Sequence, residues 1–312
     1  MRVLVTGASG MLGRGVATAL RDRGHEVTTL QRRASGLTGV RALRGSVTDP
    51  AVVARATTGQ DAVVHLAAKV SFAGPEEEFQ HVNVGGTEHL LTAARGAGAE
   101  RFLFVSSPSV AHTGDAIVGE GAGPAQPARA RGPYARTKAA AEVLALAADA
   151  PGFAVAAVRP HVVWGPGDTQ LVERVVQRAA AGRLPLLDAG AALIDTTYVD
   201  NAVDALVAAL ERAEEVHGRA LVVTNGEPRP VAELLAGMCG AAGVRAPSWH
   251  VPGRLARLAG AAVETVWRVR PGADEPPMTR FLAEQLSTAH WFDQRRTREL
   301  LRWQPRVTLD EG

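Results

Sequence analysis

The stretch "RVLVTGASGMLGRG", residues 2–15, decides the fold that this 312-residue chain is expected to adopt. An apolar, β-branched run ends at Gly7, and a helical pattern begins close behind it. Gly7, Gly10 and Gly13 stand between the two in a G-x-x-G-x-x-G arrangement. Glycines so placed allow a tight turn and a close approach of backbone to a pyrophosphate, whose charge the helix N-terminus favours. The stretch therefore predicts a dinucleotide-binding βαβ unit.

The same order of strand and then helix continues through the first half of the chain. Continuous apolar runs, as expected of parallel strands covered on both faces, lie at 2–6, 25–30, 61–67, 101–107 and 153–160. Helical patterns separate them at 11–23, about 50–58, 76–97 and 134–149. This order predicts an α/β fold, a Rossmann-type doubly wound parallel sheet with right-handed crossovers.

The regular alternation of strand and helix becomes less clear after residue 160, where turn-rich stretches such as "GPGDTQ" interrupt it. We predict a nucleotide-binding domain formed by residues 1–164 plus about 198–225. Residues 165–197 and 226–312 are expected to form a smaller, discontinuous substrate-binding lobe.

Composition and charge argue against several classes of protein. The 34 Lys and Arg residues balance 32 Asp and Glu to a net charge of +2 without a long basic run, so no nucleic-acid partner is expected. The single cysteine, Cys239, leaves no disulfide framework and suits a cytoplasmic protein. The nine histidines show no ligand spacing, so no metal is expected. No apolar run approaches the ~18 residues of a membrane span, and the immediate start of a strand predicts no signal peptide.

The residues after the second predicted strand indicate which dinucleotide is bound. An acidic side chain there would accept hydrogen bonds from the ribose 2′-hydroxyl of NAD. This chain has Gln31, Arg32 and Arg33 instead. Because forked guanidinium donors match a 2′-phosphate, we predict NADP(H), with Arg32 as the main contact and Arg33 in support. The alternative, that both arginines are solvated loop residues, is more credible for Arg33.

Six short motifs occur in order along the chain: "TGASGMLG" (6–13), "HLAA" (65–68), "NVGGT" (83–87), "VSS" (105–107), "YARTK" (134–138) and "RPHVVWGPGD" (159–168). Their order and intervals resemble those of the extended short-chain dehydrogenase/reductases, the NAD-dependent epimerase/dehydratase superfamily. The resemblance covers essentially the whole chain. It implies a Rossmann-type fold and hydride chemistry with a nicotinamide cofactor.

The resemblance implies three catalytic residues, Ser107, Tyr134 and Lys138. In the family the tyrosine exchanges a proton with the reacting oxygen, the lysine assists it, and the serine binds that oxygen. The spacing agrees, because residues i and i+4 share one face of a helix. A nearby Lys138 ammonium and an oxidised nicotinamide are expected to lower the pKa of Tyr134. Ser106 and Ser109 are neighbours, but only Ser107 matches the family position.

By motif match, the resemblance also implies a set of cofactor contacts. They are Gly7, Ser9, Gly10, Met11, Leu12, Gly13, Arg32, Arg33, Ser46, Val47, Leu66, Ala67, Ala68, Asn83, Val105, Tyr134, Lys138, Pro160, His161 and Val162. One departure is Ser46, where the family often has an aspartate that contacts the adenine amino group. Val47 is still expected to pack on the adenine ring.

The later half of the chain, especially "EPPMTRFLAEQLSTAHWFD", resembles the bacterial 2-alkyl-3-oxoalkanoate reductases of olefin and β-lactone biosynthesis. These are similar to the 3β-hydroxysteroid dehydrogenase branch. The resemblance implies NADPH-dependent reduction of a hydrophobic β-keto acid to a 2-alkyl-3-hydroxyalkanoate. Candidate carboxylate partners are Lys69, His161 and Arg280; candidate apolar contacts are Leu255, Trp267, Met278 and Phe281, which could equally be core of the second lobe.

Other functions stay open at this point. A 3β-hydroxysteroid dehydrogenase or another ketoreductase of secondary metabolism is the nearest alternative, and a sugar-nucleotide epimerase fits the apolar second lobe less well. An NADP(H)-sensing regulator would have no need of the Ser107, Tyr134 and Lys138 set. Family members often form dimers through helices that correspond to 76–97 and 134–149, so a homodimer is expected.

The segment "VPGRLARLAGAAVETVWRVRPG" (251–272) has a helical pattern in which apolar residues could share one face. They are Leu255, Leu258, Ala262, Val263, Val266 and Trp267, with Arg254, Arg257, Arg268 and Arg270 around them. The pattern favours a helix whose apolar face packs on the core while its arginines face solvent. A lid over an apolar substrate comes next, and contact with a membrane last.

Overall fold

The computed structural model describes residues 1–71, 74–169, 171–269 and 279–312. In chain order its strands are β1 (Arg2–Thr6), β2 (Glu26–Gln31), β3 (Arg41–Arg44), β4 (Ala62–His65), β5 (Arg101–Val105), β6 (Ile117–Glu120), β7 (Ala154–Pro160), β8 (Val163–Trp164), β9 (Leu186–Leu187), β10 (Leu193–Ile194), β11 (Thr197–Tyr198), β12 (Ala220–Val223), β13 (Arg229–Pro230), β14 (His250–Val251) and β15 (His290–Phe292). Its helices are α1 (Met11–Asp22), α2 (Pro50–Thr57), α3 (Glu76–Phe79), α4 (Gly86–Gly96), α5 (Gly132–Ala147), α6 (Val172–Ala180), α7 (Val199–Glu211), α8 (Ala213–Val216), α9 (Val231–Ala241), α10 (Gly253–Val269), α11 (Arg280–Ser287) and α12 (Arg295–Leu301). A π-helix spans Gln80–Gly85, and 3₁₀ turns span Pro108–Val110 and Asp188–Gly190.

Seven parallel strands form the central sheet in the order β12-β7-β5-β4-β1-β2-β3. Alternate residues of β1 enter two different cores. Val3 and Val5 pack with residues of α1, α7 and α12, whereas Leu4 packs with residues of α2, α4 and α5. Helices cover both faces, which is why the strands are apolar without alternation. The predicted doubly wound parallel sheet is confirmed.

The strand order reverses between β1 and β4, which are neighbours in the sheet although β2 and β3 separate them in sequence. In open α/β sheets, ligands bind in the crevice outside the carboxyl ends of the strands at such a reversal. The turns after β1, β4, β5 and β7 all leave this edge. The fold therefore brings together the segments that carry the predicted site residues.

A second, smaller body contains a four-stranded sheet in the order β13-β10-β15-β6. Its own apolar core includes Val175 of α6, Ile194 of β10, and Val231, Leu235 and Cys239 of α9. Most of its elements come from residues after 160.

Helix α10 turns its large apolar side chains outwards. Gly253, Ala256 and Gly260 are buried, and a Cβ on Gly260 would lie 2.6 Å from the backbone at the start of α11. Leu255, Leu258 and Val266 are 58%, 69% and 55% exposed, so the expectation that the apolar face of this helix packs on the core is wrong. In the described residues, no helix has the length and apolar character needed to cross a bilayer.

Two segments lie elsewhere than the predicted division places them. Strand β6, at 117–120, pairs with β15 and so belongs to the smaller sheet. The C-terminal segment packs on the nucleotide-binding side, because Leu301 and Trp303 join the core of α1 and α7. Asn201 of α7 also accepts hydrogen bonds from the backbone amides of Arg306 and Val307, at 2.8 and 3.1 Å.

Three buried histidines from distant parts of the chain meet where the two bodies join. His112 follows the first 3₁₀ turn, His161 follows β7, and His290 lies in β15. The ring of His290 lies 4.6 Å from that of His112 and 6.1 Å from that of His161, between ring centroids. The Nδ1 of His161 donates to the carbonyl of Asp195 at 2.7 Å. Burial lowers the pKa of all three, to about 4 for His161 and about 3 for His290, although Glu284 opposes the shift at His112.

We predict that His290 makes the fold sensitive to mild acid. The folded pKa lies below the ordinary value of 6.5, so the unfolded chain takes up the proton first and the free energy of unfolding falls as the pH drops below 6.5. His290→Gln removes this titration and should reduce the loss of unfolding free energy between pH 7 and pH 5 by about 1–2 kcal/mol. Urea unfolding at the two pH values measures it. The exposed His250 supplies the control, since His250→Gln should keep the wild-type slope; an unchanged slope in His290→Gln contradicts the prediction.

Candidate active site

The turn between β1 and α1 brings backbone closer together than side chains would allow. Gly7 has φ +78°, and a Cβ there would lie 2.9 Å from the amide nitrogen of Ala67. A Cβ on Gly13 would lie 2.4 Å from the carbonyl oxygen of Gly7. Gly10 precedes α1, whose first turn has no acidic residue. Ser9, Met11 and Leu12 stand in or beside this first turn. The cradle fits a pyrophosphate, which the partial positive charge of the helix N-terminus would favour.

The hydroxyl of Thr6 at the end of β1 holds the turn that follows β4. It accepts hydrogen bonds from the amides of Leu66 and Ala67, at 3.2 and 3.0 Å. Since both contacts use its lone pairs, its proton goes to Nδ1 of His65, 2.8 Å away. The pKa of His65 lies well below its ordinary value because the ring is buried and because Lys138 is near. Thr6 and His65 are the first residues of the motifs at 6–13 and 65–68, but neither is among the cofactor contacts that the resemblance implies.

Asn83 lies in the π-helix, and its side-chain amide forms hydrogen bonds within the protein. Its Oδ1 accepts from the amide of Lys69 at 2.7 Å. Its Nδ2 donates to the carbonyl of Lys69 at 3.2 Å and to the hydroxyl of Thr137 at 3.1 Å. Asn83 thus joins the turn after β4, where Ala68 lies, to α5. π-helical turns often occur at functional sites.

The segment after β5 and the first turn of α5 bring Ser107 and Tyr134 together. Ser107 stands near enough to the phenol of Tyr134 for its hydroxyl to lower the pKa of that phenol. Ser109, which the motif match leaves out, donates from its hydroxyl to that of Ser107 at 3.0 Å. The Ser107 oxygen is therefore already an acceptor, and its own proton is available to Tyr134 or to a bound carbonyl. The hydroxyl of Ser106 is buried with no hydrogen-bond partner among the described residues.

Lys138 lies one helical turn after Tyr134 and is 3 % exposed. Its Nζ stands 4.0 Å from the centroid of the Phe104 ring, and the described part of the chain offers it no hydrogen-bond partner. Burial lowers its pKa to about 7, although the negative charge of Glu142 acts to raise it. Glu142 is itself buried in an ion pair with Arg159. A buried ammonium with unused hydrogen-bonding capacity fits the hydroxyl groups of a bound ribose.

The fold itself raises the pKa of Tyr134, whereas the lowering expected from the sequence depends on Lys138 and an oxidised nicotinamide together. Desolvation of the phenol raises it to about 12, and the hydrogen bond with Ser107 opposes the shift. Lys138 contributes no shift to it, and burial lowers the pKa of that lysine as well. The protein by itself therefore keeps Tyr134 protonated at neutral pH. A protonated phenol is the form that a proton donor requires.

The end of β2 presents two arginines in the region expected to meet the ribose. Arg32 and Arg33 are exposed, and neither has an ion-pair partner among the described residues. Gln31 before them is buried, and its Nε2 donates to the hydroxyl of Thr29 at 3.2 Å. Forked donors without a carboxylate partner fit a phosphate.

The region expected to meet the adenine is more closed than the sequence suggests. Ser46 uses its hydroxyl in a local turn, accepting from the amide of Thr48 at 3.2 Å. Val47 is buried in the core, and a Cβ on Gly86 would lie 2.7 Å from one of its methyl groups. The side chain of Val47 thus packs on α4 and is not an open surface.

The turn after β7 contains backbone strain. Val162 has φ +43°, an unfavourable conformation for a β-branched residue that often occurs at functional sites. Thr197 holds this turn, since its hydroxyl donates to the carbonyl of His161 at 2.7 Å and its amide donates to that of Val162 at 3.2 Å. Pro160 and Val105, at the ends of β7 and β5, are buried.

Two of the candidate carboxylate partners already pair with acidic residues. Lys69 forms an ion pair with Glu78, and Arg280 donates from Nε to Glu284 at 2.9 Å. The third, His161, is the buried ring described above.

The candidate apolar contacts fall mostly outside the described residues. This applies to Met278 and to the side chains of Trp267 and Phe281. Leu255 is exposed and so lies in no enclosed pocket. In the described part of the chain, no three His, Cys, Asp or Glu side chains are arranged to hold a metal ion.

Comparison with known proteins gives a consistent set of relatives. The model of the NAD dependent epimerase/dehydratase family matches residues 3–224. The chain is 38% identical over 321 residues to a 2-alkyl-3-oxoalkanoate reductase of Stenotrophomonas maltophilia, covering 100% of this chain and 97% of the relative. It is 31% identical over 329 residues to a 3 beta-hydroxysteroid dehydrogenase/Delta 5-->4-isomerase of Mycobacterium tuberculosis, and the match covers 100% of this chain and 88% of the relative. Among solved structures, MoeE5 in complex with UDP-glucose and NAD has a TM-score of 0.77 at 26% identity. The match covers 100% of this chain and 96% of the MoeE5 chain.

Thr6→Val tests whether one hydroxyl maintains the cleft. The substitution leaves the amides of Leu66 and Ala67 and the Nδ1 of His65 without a partner, so the free energy of unfolding should fall by about 2–4 kcal/mol. Thr28→Val in the neighbouring strand is the matched control, because that hydroxyl accepts one 3.3 Å bond from Gln60; it should cost about 1 kcal/mol. Urea unfolding compares the two, and equal losses would refute the special role of Thr6.

Proposed function

Because the chain belongs to the NAD dependent epimerase/dehydratase family, we propose that it is an NADPH-dependent ketoreductase acting on a β-keto acid. The proposed reaction reduces the 3-keto group of a 2-alkyl-3-oxoalkanoate to the 2-alkyl-3-hydroxyalkanoate. The observation that carries it is the placement of Tyr134 in the first turn of α5, beside Ser107 and one helical turn before the buried Lys138. The names of the relatives support the coarser activity, an oxidoreductase acting on hydroxyl or keto groups.

In the proposed reduction of a carbonyl group, Ser107 and Tyr134 have separate roles. A reduced nicotinamide cofactor, held by the turn of Gly7, Gly10 and Gly13, would supply the hydride for the carbonyl carbon. Ser107 donates a hydrogen bond to the carbonyl oxygen, since Ser109 already occupies one of its acceptor positions. Tyr134 gives its phenolic proton to that oxygen as negative charge develops on it.

Lys138 becomes useful after the proton has left Tyr134. Its pKa of about 7 belongs to a buried lysine beside a neutral phenol. A phenolate one turn away favours the ammonium form and raises that pKa. Lys138 then stabilises the phenolate until the phenol takes up a new proton.

The preference for NADPH rests on Arg32 and Arg33. Both are exposed after β2 without an acidic partner among the described residues, and no carboxylate stands there to accept from a ribose 2′-hydroxyl. A 2′-phosphate would supply the missing negative charge.

The substrate class rests on the relatives and on the chemistry of the site. A 2-alkyl-3-oxoalkanoate reductase is 38% identical to this chain over its full length, which favours the β-keto acid. The 3 beta-hydroxysteroid dehydrogenase relative, at 31% identity, makes a 3-ketosteroid the second candidate. The intact trio of Ser107, Tyr134 and Lys138 argues for turnover and against a purely regulatory role.

Arg32→Ala tests the assignment of the cofactor. Losing the contact with the 2′-phosphate should raise the KM for NADPH by about tenfold or more and leave the KM for NADH nearly unchanged. Steady-state kinetics with both cofactors measure the effect. Arg55→Ala, at an exposed arginine in the last turn of α2, is the control and should change neither value. Equal changes for NADPH and NADH in Arg32→Ala would count against NADP(H).

An assay of NADPH oxidation tests the reaction itself. Wild-type protein should oxidise NADPH faster with a 2-alkyl-3-keto acid than with a 3-ketosteroid; the reverse order would favour the steroid. Tyr134→Phe should bind NADPH as before but lose at least about 100-fold in kcat, because the proton donor is gone. Tyr198, the other tyrosine of the chain, provides the control Tyr198→Phe, which should keep its activity. Near-normal turnover in Tyr134→Phe would exclude the mechanism.

A further inference from the structure

Arg131 stands immediately before α5, the helix that carries Tyr134 and Lys138. It precedes Tyr134 by three residues and Lys138 by seven, a spacing at which side chains share one face of a helix. Its side chain does not cap the helix. The face of α5 that carries the phenol and the ammonium therefore begins with a guanidinium.

The guanidinium of Arg131 lies against the segment that follows Ser107. Its Nε donates to the carbonyl of Thr113 at 3.1 Å. It also packs on Gly114, where φ is +110° and a Cβ would lie 2.9 Å from Nη2. Arg131 thus stands between the same two segments, the one after β5 and the start of α5, that bring Ser107 and Tyr134 together.

A small apolar core holds these two segments against each other. Val110 lies in the 3₁₀ turn after Ser107, Ala130 directly precedes Arg131, and Ala135 lies in α5. All three alanine and valine side chains are buried in one cluster. The backbone of Arg131 is therefore anchored by its neighbours and does not depend on the hydrogen bond of its own side chain.

The terminal amino groups of this guanidinium are unused. Nη1 and Nη2 of Arg131 have no hydrogen-bond or ion-pair partner among the described residues. By contrast, Arg129 donates to Gln126, and Arg136 forms an ion pair with Glu76. Arg131 is also partly buried. A guanidinium fork that is partly withdrawn from water and lacks an anion fits a carboxylate, which accepts two parallel hydrogen bonds from it.

The acidic residues nearby do not supply that anion. Burial is the main cause of the lowered pKa of His112 at the junction of the two bodies; Glu284 opposes the shift, and the positive charge of Arg131 adds to it. Glu284 accepts instead from Nε of Arg280 at 2.9 Å. Asp115, the other acidic residue that acts on this ring, is exposed and forms no ion pair with Arg131 within the described ranges. The guanidinium therefore stands near the junction with its charge uncompensated.

We propose that Arg131 binds the carboxylate of the β-keto acid and so makes the site prefer the acid to a neutral ketone. This inference rests on the proposed function and names the residue that would recognise its substrate class. In a 3-keto acid a single carbon separates the carboxylate from the keto group, so an anion held by Arg131 brings the keto oxygen towards Tyr134 on the same face of α5. Two cations predicted for this role, Lys69 and Arg280, already pair with acidic residues.

A 2-alkyl-3-keto acid and its methyl ester test the proposal, because they share the keto group and only the acid is charged. With NADPH, the wild-type kcat/KM should be at least about tenfold higher for the acid than for the ester. Arg131→Gln should remove this preference by raising the KM for the acid at least about tenfold. Its KM values for the ester and for NADPH should stay unchanged. Arg131→Lys keeps the charge but not the fork and should recover part of the preference.

A neighbouring arginine provides the matched control. Arg129 is exposed in the same loop, and Arg129→Gln should keep the wild-type preference for the acid. Equal losses for acid and ester in Arg131→Gln would reduce the guanidinium to a tie to Thr113 and overturn the proposal. A wild type without a preference, or an Arg131→Gln variant that keeps it, overturns it as well.

Binding of a 2-alkyl alkanoic acid, which has no keto group, separates this role from the proposed reaction. In the presence of NADP⁺, the wild type should bind this acid at least about tenfold more tightly than Arg131→Gln does. Isothermal titration calorimetry measures both affinities. If the wild type reduces neither the keto acid nor its ester, the proposed function fails, and the calorimetry still decides the role of Arg131. Equal affinities of wild type and variant overturn that role.

Discussion

The close approach of the β1–α1 turn to the turn after β4 is the constraint on which the site depends. Gly7 and Ala67 are so near that a side chain on Gly7 would collide with backbone. The hydroxyl of Thr6 then joins β1 to the same turn through two amides. Since Asn83 ties this turn to α5, the helix of Tyr134 and Lys138 is placed relative to the phosphate cradle by a short series of hydrogen bonds.

Burial decides the chemistry that these groups can perform. Glu142 and Arg159 neutralise each other in the core. The Glu142 carboxylate therefore offsets only part of the lowering that burial causes in the pKa of Lys138. The same low-polarity surroundings raise the pKa of Tyr134. Tyr134 and Lys138 are therefore both shifted towards their neutral forms, the state in which a buried pair costs least. The sequence spacing predicts their proximity but not the direction of the Tyr134 shift, which depends on how much water reaches the phenol.

Much of the fold and of the site could be predicted because the signals are local. The Gly7–Gly13 turn, the apolar strands and the Tyr134–Lys138 spacing each lie within a few residues. The features that the sequence did not predict depend on residues far apart in the chain. His112, His161 and His290 meet only after three segments fold together, and a hydroxyl such as that of Thr6 looks like any β-branched strand residue. For α10, periodicity shows that an apolar face exists but not which side faces inwards. Gly253, Ala256 and Gly260 decide that, because small residues permit the closest helix contact.

The two displaced pKa values also bear on the energy of the proposed proton transfer. Reduction starts from a neutral Tyr134 and removes its proton only when negative charge arises on the substrate oxygen. In either direction the reaction passes through the phenolate of Tyr134, and ionising a phenol whose pKa is about 12 costs about 7 kcal/mol at neutral pH. The neighbouring lysine offsets little of that cost in advance, because its own pKa of about 7 leaves it only partly charged. The phenolate of Tyr134 is therefore stabilised by the charge that Lys138 gains as the phenolate forms, in the proposed reduction as in its reverse.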